Sequence, residues 1–348
     1  MNAYASRIDI KSLPTDELTA QVTAGGHPAF RAKQIRQWLD RGVTRFEEMT
    51  NLPKALLAWL DERYVIPFVK IEKKLVSQID GTVKYLFSLP DGETVESVLM
   101  QYKHGWSQCL STQVGCRMGC TFCATGKGGL VRDMLPSEIL SQIEVASADH
   151  GVRVSSIVLM GMGEPLDNYD NVIRFLEMVS AEGGVQIGMR HISLSTCGLV
   201  NRMEELMQKK WQLTLSVSLH APNDDLRRRL MPIAKKWSVD ELLDCCRRYA
   251  AYTGRRISFE YAMVDGVSDT DACARELATK LRGMLCHVNL IPVNPVDGTP
   301  YRRSCAERIE SFIRILEKAG ITATVRRTLG ADINASCGQL RRKEQQKK

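Results

Sequence analysis

From Ser155 onward the chain alternates short apolar, strand-like runs with amphipathic, helix-like ones, and few folds admit that alternation. SSIVLMGM, HISLSTCG, LTLSVSLHAP, ISFEYAMVDG, HVNLIPVNP and TATVRRTL read as strands, while NVIRFLEMVSAEG, VDELLDCCRRYAAYTG and CAERIESFIRILEKAG read as helices among them. This order predicts parallel strands joined by right-handed crossovers, as a barrel or an open α/β sheet, with QCLSTQV adding a strand in front. In both architectures chemistry gathers at the carboxyl ends of the strands. Polar motifs placed there are the candidates for function.

Residues 1–66 read as a separate helical module. In HPAFRAKQIRQWLDRG, Phe30, Ile35, Trp38 and Leu39 recur near a 3.6-residue period, while Arg31, Lys33, Arg36 and Arg41 take other positions. A second helix is expected in PKALLAWLDERY, with Pro53 near its start. The basic face suits either an RNA-facing accessory domain or a packing appendage. Residues 67–101 read as a β-hairpin extension, carried by VKYLFSLPDGETVESVLMQY, which runs on to Tyr102 and turns at Pro90, Asp91 and Gly92. Residues 102–340 form the core and 341–348 a basic tail.

Composition narrows the setting. Of 348 residues, 44% are hydrophobic and 25% charged, an ordinary globular balance with enough apolar content for a large core. No apolar run is long enough to span a bilayer, and MNAYASRIDIKSLPTDEL lacks the apolar segment of a secretory signal, so a cytoplasmic protein is expected. Eleven cysteines, mostly scattered singly, fit a reducing compartment. A net charge of +7 and the tail RRKEQQKK are compatible with a polyanionic partner.

Cys116, Cys120 and Cys123 stand in a C-x3-C-x2-C spacing. Three thiolates on a [4Fe-4S] cluster leave one iron open to a ligand, whereas electron-carrying clusters close all four positions. The same three cysteines would also serve a zinc site. After SSIVLM comes Gly161-Met162-Gly163-Glu164-Pro165, in which glycines permit close backbone approach and Glu164 offers an acceptor for a ligand ammonium.

Together these motifs resemble the radical S-adenosylmethionine superfamily. With SQCLSTQVGCRMGCTFCATG, SVSLHAPND, NLIPVNP and GADINASCGQL, the chain from about Lys70 to Leu340 is similar to the RNA adenine-C2 methyltransferases of the RlmN type. The resemblance implies a partial (β/α)6 barrel with a small N-terminal helical domain and a β-hairpin extension. It implies that Cys116, Cys120 and Cys123 hold a [4Fe-4S] cluster and that S-adenosylmethionine chelates the open iron. Gly163, Glu164, Ser195, Ser218, Leu219, His220 and Asn294 would contact that cofactor. Cys337 would carry the methyl group, Cys109 would resolve the intermediate as a disulfide with Cys337, and Glu96 would accept a proton.

The implied substrates are an adenine in the peptidyl-transferase centre of 23S rRNA and the adenine 3′ of the tRNA anticodon. A flavodoxin or ferredoxin is the implied reductant, for a monomeric enzyme that needs no membrane. Methylation at C8 of the rRNA adenine is the alternative within this chemistry. A non-enzymatic RNA-binding protein with a structural metal site is the alternative outside it.

Overall fold

The N-terminal chain closes its own core before the large sheet begins. In the computed structural model, which describes residues 7–182, 184–294, 298–335, 340–341 and 344, Ile8–Asp9 (β1) pairs in parallel with Tyr64–Val65 (β2). Between them lie Thr15–Ala24 (α1), Phe30–Asp40 (α2) and Lys54–Arg63 (α3). Leu18, Ile35, Leu39, Leu56 and Leu60 bury together. The sequence did not announce α1, which turns only Leu18 and Val22 inward.

The face expected of α2 needs correction. Ala32, Ile35 and Leu39 are its buried residues, whereas Phe30 is exposed, with the Arg31 guanidinium 4.8 Å from its ring centre. Arg36 is no surface cation either. Its guanidinium donates to the carbonyls of Lys11 and Leu13, and burial pulls its pKa down.

This module docks on the core through polar contacts. Lys11 Nζ pairs with Glu144 at 2.6 Å, Ser137 Oγ donates to Asp9 at 2.5 Å, and Arg174 Nε donates to the Ser12 carbonyl.

Lys70–Val76 (β3), Val83–Ser88 (β4), Thr94–Tyr102 (β5) and Gly105–Cys109 (β6) run as an antiparallel meander. Gln113–Gly115 (β7) and Leu130–Asp133 (β8) then pin the two ends of a loop outside this sheet, and Pro136–His150 (α4) returns the chain. Val154–Leu159 (β9), Ile192–Thr196 (β10), Thr214–Ser218 (β11), Ile257–Met263 (β12), Cys286–Pro292 (β13) and Ala323–Val325 (β14) follow, all in parallel from β6 onward. The crossovers use Tyr169–Ser180 (α5), Val200–Gln208 (α6), Asp224–Leu230 (α7), Val239–Thr253 (α8), Asp271–Leu281 (α9) and Ala306–Lys318 (α10).

The six strand–helix units therefore begin with β6–α4 and end with β13–α10, leaving β14 as a short closing strand. The hairpin is hydrogen-bonded into the same ten-stranded sheet, in the order β14-β13-β12-β11-β10-β9-β6-β5-β4-β3. Among the described residues no helix is long and apolar enough to cross a membrane.

Local chemistry explains the element ends. Ser238 and Glu241 cap each other's backbone at the start of α8, and Gly254 ends that helix in the left-handed conformation. Along α5, Val172, Phe175, Leu176 and Val179 form the buried stripe that seals one side of the sheet.

Burial raises the Asp9 carboxyl pKa, against opposing hydrogen bonds from Ser12 and Ser137. The native state thus binds the proton more tightly than the unfolded chain, so this group's contribution to stability falls as pH rises from the ordinary aspartate value to the raised one. Asp9→Asn should abolish that slope while staying near neutral in stability at pH 7. Asp9→Ala should lose about 1–3 kcal/mol through unpaired buried donors. Denaturant titrations stepped upward from about pH 4 measure the slope, and one at pH 7 measures the loss.

Candidate cofactor and catalytic site

The loop from Cys116 to Gly129 is held at its two ends and in its middle. At its mouth Gly115 has φ +81°, and a Cβ there would lie 2.0 Å from the Gly129 carbonyl oxygen. Cys116 N donates to that same carbonyl at 2.8 Å. In the middle, Thr121 N donates to the Leu230 carbonyl at 2.9 Å, fastening the loop to the end of α7. Cys116, Cys120 and Cys123 consequently line one cavity of about 290 Å³ together with strand-end residues of the sheet.

Glu164 faces this cavity from the turn after β9. Its carboxylate accepts from Cys197 N at 2.7 Å and from Leu166 N at 3.1 Å, tying the ends of β9 and β10 together. Burial pushes its pKa up while these bonds oppose the rise. The Thr196 and Cys197 side chains also hydrogen-bond to it, and a ligand cation arriving from the cavity would offset the burial. Gly163, at φ +104°, admits no side chain, because a Cβ would lie 2.6 Å from that of Gln113. Gly161 likewise would bring a Cβ to 2.5 Å from the Leu110 carbonyl oxygen.

Ser195, Ser218, His220 and Asn294 line the same cavity as Gly163 and Glu164, at the ends of β10, β11 and β13. Leu219 does not, for its side chain is fully buried in the core and its N–H donates to the Glu260 carbonyl at 3.0 Å. His220 sits at φ +59° and accepts at Nδ1 from Ala262 N, which assigns its proton to Nε2. Burial, with Arg227 nearby, lowers its pKa to about 3, so the ring is neutral at physiological pH. Phe122, just before the last cysteine, packs edge-on against this ring at 4.9 Å.

A second cavity, of about 510 Å³, shares Met160, Ile291, Asn294 and Arg326 with the first. Cys109 and Ala335 line it. Cys337 lies outside the described residues. Glu96 lines neither cavity. It is buried on β5, where its carboxylate pairs with Lys84 Nζ at 2.9 Å and accepts from Arg341 N at 2.7 Å. From local sequence it would have been a solvent-facing strand residue, and the structure corrects that.

Several site residues carried no motif. Gln113 accepts from Glu164 N at 2.8 Å and donates to Asp133 and Asp167, keying the glycine turn to the cysteine loop. Arg227, fully buried, donates to the carbonyls of Cys197, Ser218 and Leu219 and so fixes the chain just behind the cofactor side. Glu260 and Arg326 also line the first cavity. The only sequence signal for Glu260 was a charge inside the apolar run ISFEYAM.

These residues fit a cubane bearing an open iron. The three thiols share a cavity with an anionic turn and a neutral imidazole, leaving room for a zwitterionic ligand beside them. Among the described residues no three His, Cys, Asp or Glu side chains converge as a single ion requires, whereas a cubane takes its thiolates at separate corners. With no iron, burial raises the Cys116 thiol to about 12, so metal binding must displace a proton there.

The family described as the Radical SAM superfamily matches residues 110–277, and that described as the Ribosomal RNA large subunit methyltransferase N-terminal domain matches 8–66. The probable dual-specificity RNA methyltransferase RlmN of Alkaliphilus oremlandii is 55% identical over 340 residues, covering 98% of this chain and 99% of that protein. Its counterpart in Clostridium tetani is 50% identical, covering 97% and 96%. The crystal structure of a radical SAM methyltransferase from Sphaerobacter thermophilus superimposes with a TM-score of 0.88 at 44% identity, covering 95% of this chain and 98% of that one.

Cys116→Ala, Cys120→Ala and Cys123→Ala should each abolish iron loading, since two thiolates are left for four irons. Cys305→Ala, at an exposed position just before α10, should load normally. Iron and sulfide analysis after anaerobic reconstitution decides, and normal iron content in any of the first three would reassign the ligands.

Proposed function

This chain belongs to the RlmN family of dual-specificity RNA methyltransferases within the radical S-adenosylmethionine superfamily, and from that premise we propose that it methylates C2 of an adenine in 23S rRNA and in tRNA. The rRNA target is placed in the peptidyl-transferase centre and the tRNA target 3′ of the anticodon. The observation that carries the reading is the shared cavity: Cys109 and Ala335, two residues before Cys337, line one space that abuts the cysteine-lined one. A purely RNA-binding protein would need neither thiol there.

Adenine C2 is an electron-poor ring carbon bearing hydrogen, and it is a weak nucleophile toward a sulfonium methyl group. Bound together, the [4Fe-4S] cluster and S-adenosylmethionine supply the methyl carbon and the one-electron chemistry that lets such a carbon be alkylated. Cys116, Cys120 and Cys123 would hold the cluster. Gly163 and Glu164 would receive the amino-acid end of the cofactor, with Ser195, Ser218, His220 and Asn294 along its length and Leu219 contributing through its backbone.

In this reading Cys337 takes the methyl carbon on sulfur, as suits a strong sulfur nucleophile. That carbon would give up one hydrogen atom and one electron to the one-electron chemistry of the bound cofactors as it joins adenine C2, linking protein and RNA covalently, and Glu96 would accept the ring proton. Cys109 would attack the Cys337 sulfur and break its bond to that carbon, which takes up a proton, freeing methylated RNA and leaving a disulfide that thiol reductants reopen. The base must be unpaired or splayed from its stack to enter. Arg326 and Arg327, exposed beside the second cavity, suit the phosphates around it. A flavodoxin or ferredoxin would deliver the electron to a monomeric enzyme working in the cytoplasm.

The direct test is nucleoside mass spectrometry of rRNA and tRNA from cells with and without the gene, against 2-methyladenosine and 8-methyladenosine standards. Loss of 2-methyladenosine from both RNAs is expected. Loss of 8-methyladenosine instead would overturn the regiochemistry.

Cys109→Ala should still join carbon to carbon but fail to release, accumulating a protein–RNA adduct on denaturing gels. Cys337→Ala should give none, and the double variant should behave like Cys337→Ala because the earlier step decides. Normal turnover by Cys109→Ala would remove the thiol pair from the mechanism.

Residues 8–66 would grip RNA through exposed cations of α2. Because Arg36 is structural, the informative charge reversal is Arg31, Lys33 and Arg41. It should weaken RNA binding and flatten the salt dependence by up to about three units of slope, leaving cofactor cleavage intact. An unchanged slope would return α2 to packing.

A further inference from the structure

Lys84, which no motif marks, stands beside two stretches of chain that flank Cys337 in sequence. On adjacent antiparallel strands Lys84 faces Val98, so Glu96 is its diagonal neighbour on the same face. Both side chains are shut from solvent, at 1% and 0% exposure, with Nζ 2.9 Å from Glu96 Oε2.

Neither group stops at its partner. Lys84 Nζ also donates to the Asn334 carbonyl at 2.9 Å, and Glu96 Oε1 accepts from Arg341 N at 2.7 Å. Asn334 and Arg341 flank Cys337 in sequence, three residues before it and four after. Further ties lie outside this pair: Asp332 accepts from Ser77 Oγ and Gln78 N, Asp80 accepts from Gly330 N, and Arg341 Nη2 donates to Glu93.

We propose that the Lys84–Glu96 pair clasps together Asn334 and Arg341, which flank Cys337 in sequence, making Lys84 a positioning residue for the thiol that receives the methyl group. The proposal rests on Cys337 being that thiol. The polarity of the pair suits both groups: a cation meets the Asn334 carbonyl and an anion meets the Arg341 N–H. Buried ion pairs are weak evidence of stability, because apolar residues of similar volume often serve as well. Here apolar residues would leave the buried Arg341 N–H unpaired and the Asn334 carbonyl without its lysine partner. The clasp therefore fixes the separation of Asn334 and Arg341, and Ala335, two residues before Cys337, lines the cavity that Cys109 lines.

Two double variants of the full-length, cluster-loaded enzyme test this. Lys84→Met with Glu96→Met removes both charges and strands neither. Lys84→Glu with Glu96→Lys restores an ion pair but presents an anion to the Asn334 carbonyl and a cation to the Arg341 N–H. Methylation of Cys337 is read by peptide mass spectrometry before RNA is added, a stage at which Glu96 has no ring proton to accept. Hydrogen exchange is read at residues 334 and 341, and thermal unfolding and iron content report on the fold.

Both variants are expected to load iron, to exchange the Arg341 amide about tenfold faster or more, and to lose most Cys337 methylation. The swapped pair should regain thermal stability without regaining either readout. Restoration of methylation and slow exchange by the swap would make the pair merely structural and overturn the clasp, as would unchanged exchange in the methionine pair. If the unmodified enzyme never carries a methyl on Cys337, the two-thiol reading fails, and the exchange arm still decides whether the clasp exists.

Discussion

The chemistry of this protein hangs on one buried amide, Gln142 of α4. Its Oε1 accepts from Ser111 N at 3.1 Å and its Nε2 donates to the Ser111 carbonyl at 2.8 Å, so it pairs with that residue's backbone as a neighbouring strand would. Ser111 Oγ in turn donates to the Glu96 carbonyl at 2.6 Å and accepts from Met162 N at 2.9 Å. Gln108 Nε2 donates to the Gln142 carbonyl and to Ser97 Oγ, and Ser97 Oγ donates to the Cys109 carbonyl. One fully enclosed network thereby fixes the strand of the proposed base, the proposed resolving thiol and the glycine turn beside the cysteine-lined cavity relative to one another. Interiors of low polarity strengthen such bonds and penalise any that break, which makes the arrangement nearly all-or-none.

The same principle governs the charged groups. Glu164, Arg227, Lys84 and Glu96 are all buried, and each spends its hydrogen bonds on backbone groups at strand ends or loop bases. Strand ends in a parallel sheet leave amides and carbonyls without ladder partners, and these must be met by something. Side chains that meet them with formal charge impose polarity on the site: Arg227 sits behind the carbonyls of Cys197, Ser218 and Leu219, while Glu164 receives the amides of Leu166 and Cys197. The cavity between is left with an anionic wall and a neutral imidazole, a surface suited to the ammonium end of an amino acid.

What was legible in the sequence follows from range. Strands β9 to β13 could be read because each is an apolar run punctuated by turn residues, and the hairpin because Pro90, Asp91 and Gly92 separate two such runs. α1 could not, since TDELTAQVTA places only two apolar side chains on its inner face. Phe30 and Arg36 were misassigned for a related reason: periodicity shows which residues share a face, and it is silent about a cation whose guanidinium reaches the carbonyls of Lys11 and Leu13, 25 and 23 residues earlier. The cysteine and glycine motifs were local and therefore visible. Gln113, Arg227 and Lys84 act on backbone groups up to 250 positions away, and no window along the chain contains both partners.

The β3–β5 extension makes sense of this long range. A closing strand as short as β14 leaves the sheet open on its far side, and the segment Gly330–Asn334 passes from it to the turn between β3 and β4. Asp80 shows how firmly that passage is held: partial burial alone would raise its carboxyl, yet hydrogen bonds from Gly330 N, Thr82 and Ser77 bring it down to about 2. Depressed in the native state, that carboxyl supports the tie at all pH values above the ordinary aspartate range and releases it only as pH falls through about 2. A cluster loop can be fixed by backbone pairing alone because its ligands stay put. In the proposed mechanism the Cys337 thiol meets a cofactor and then a nucleobase and a second thiol, which calls for firm flanks, and directional ties from a separate hairpin hold Gly330, Asp332, Asn334 and Arg341 on either side of it in sequence.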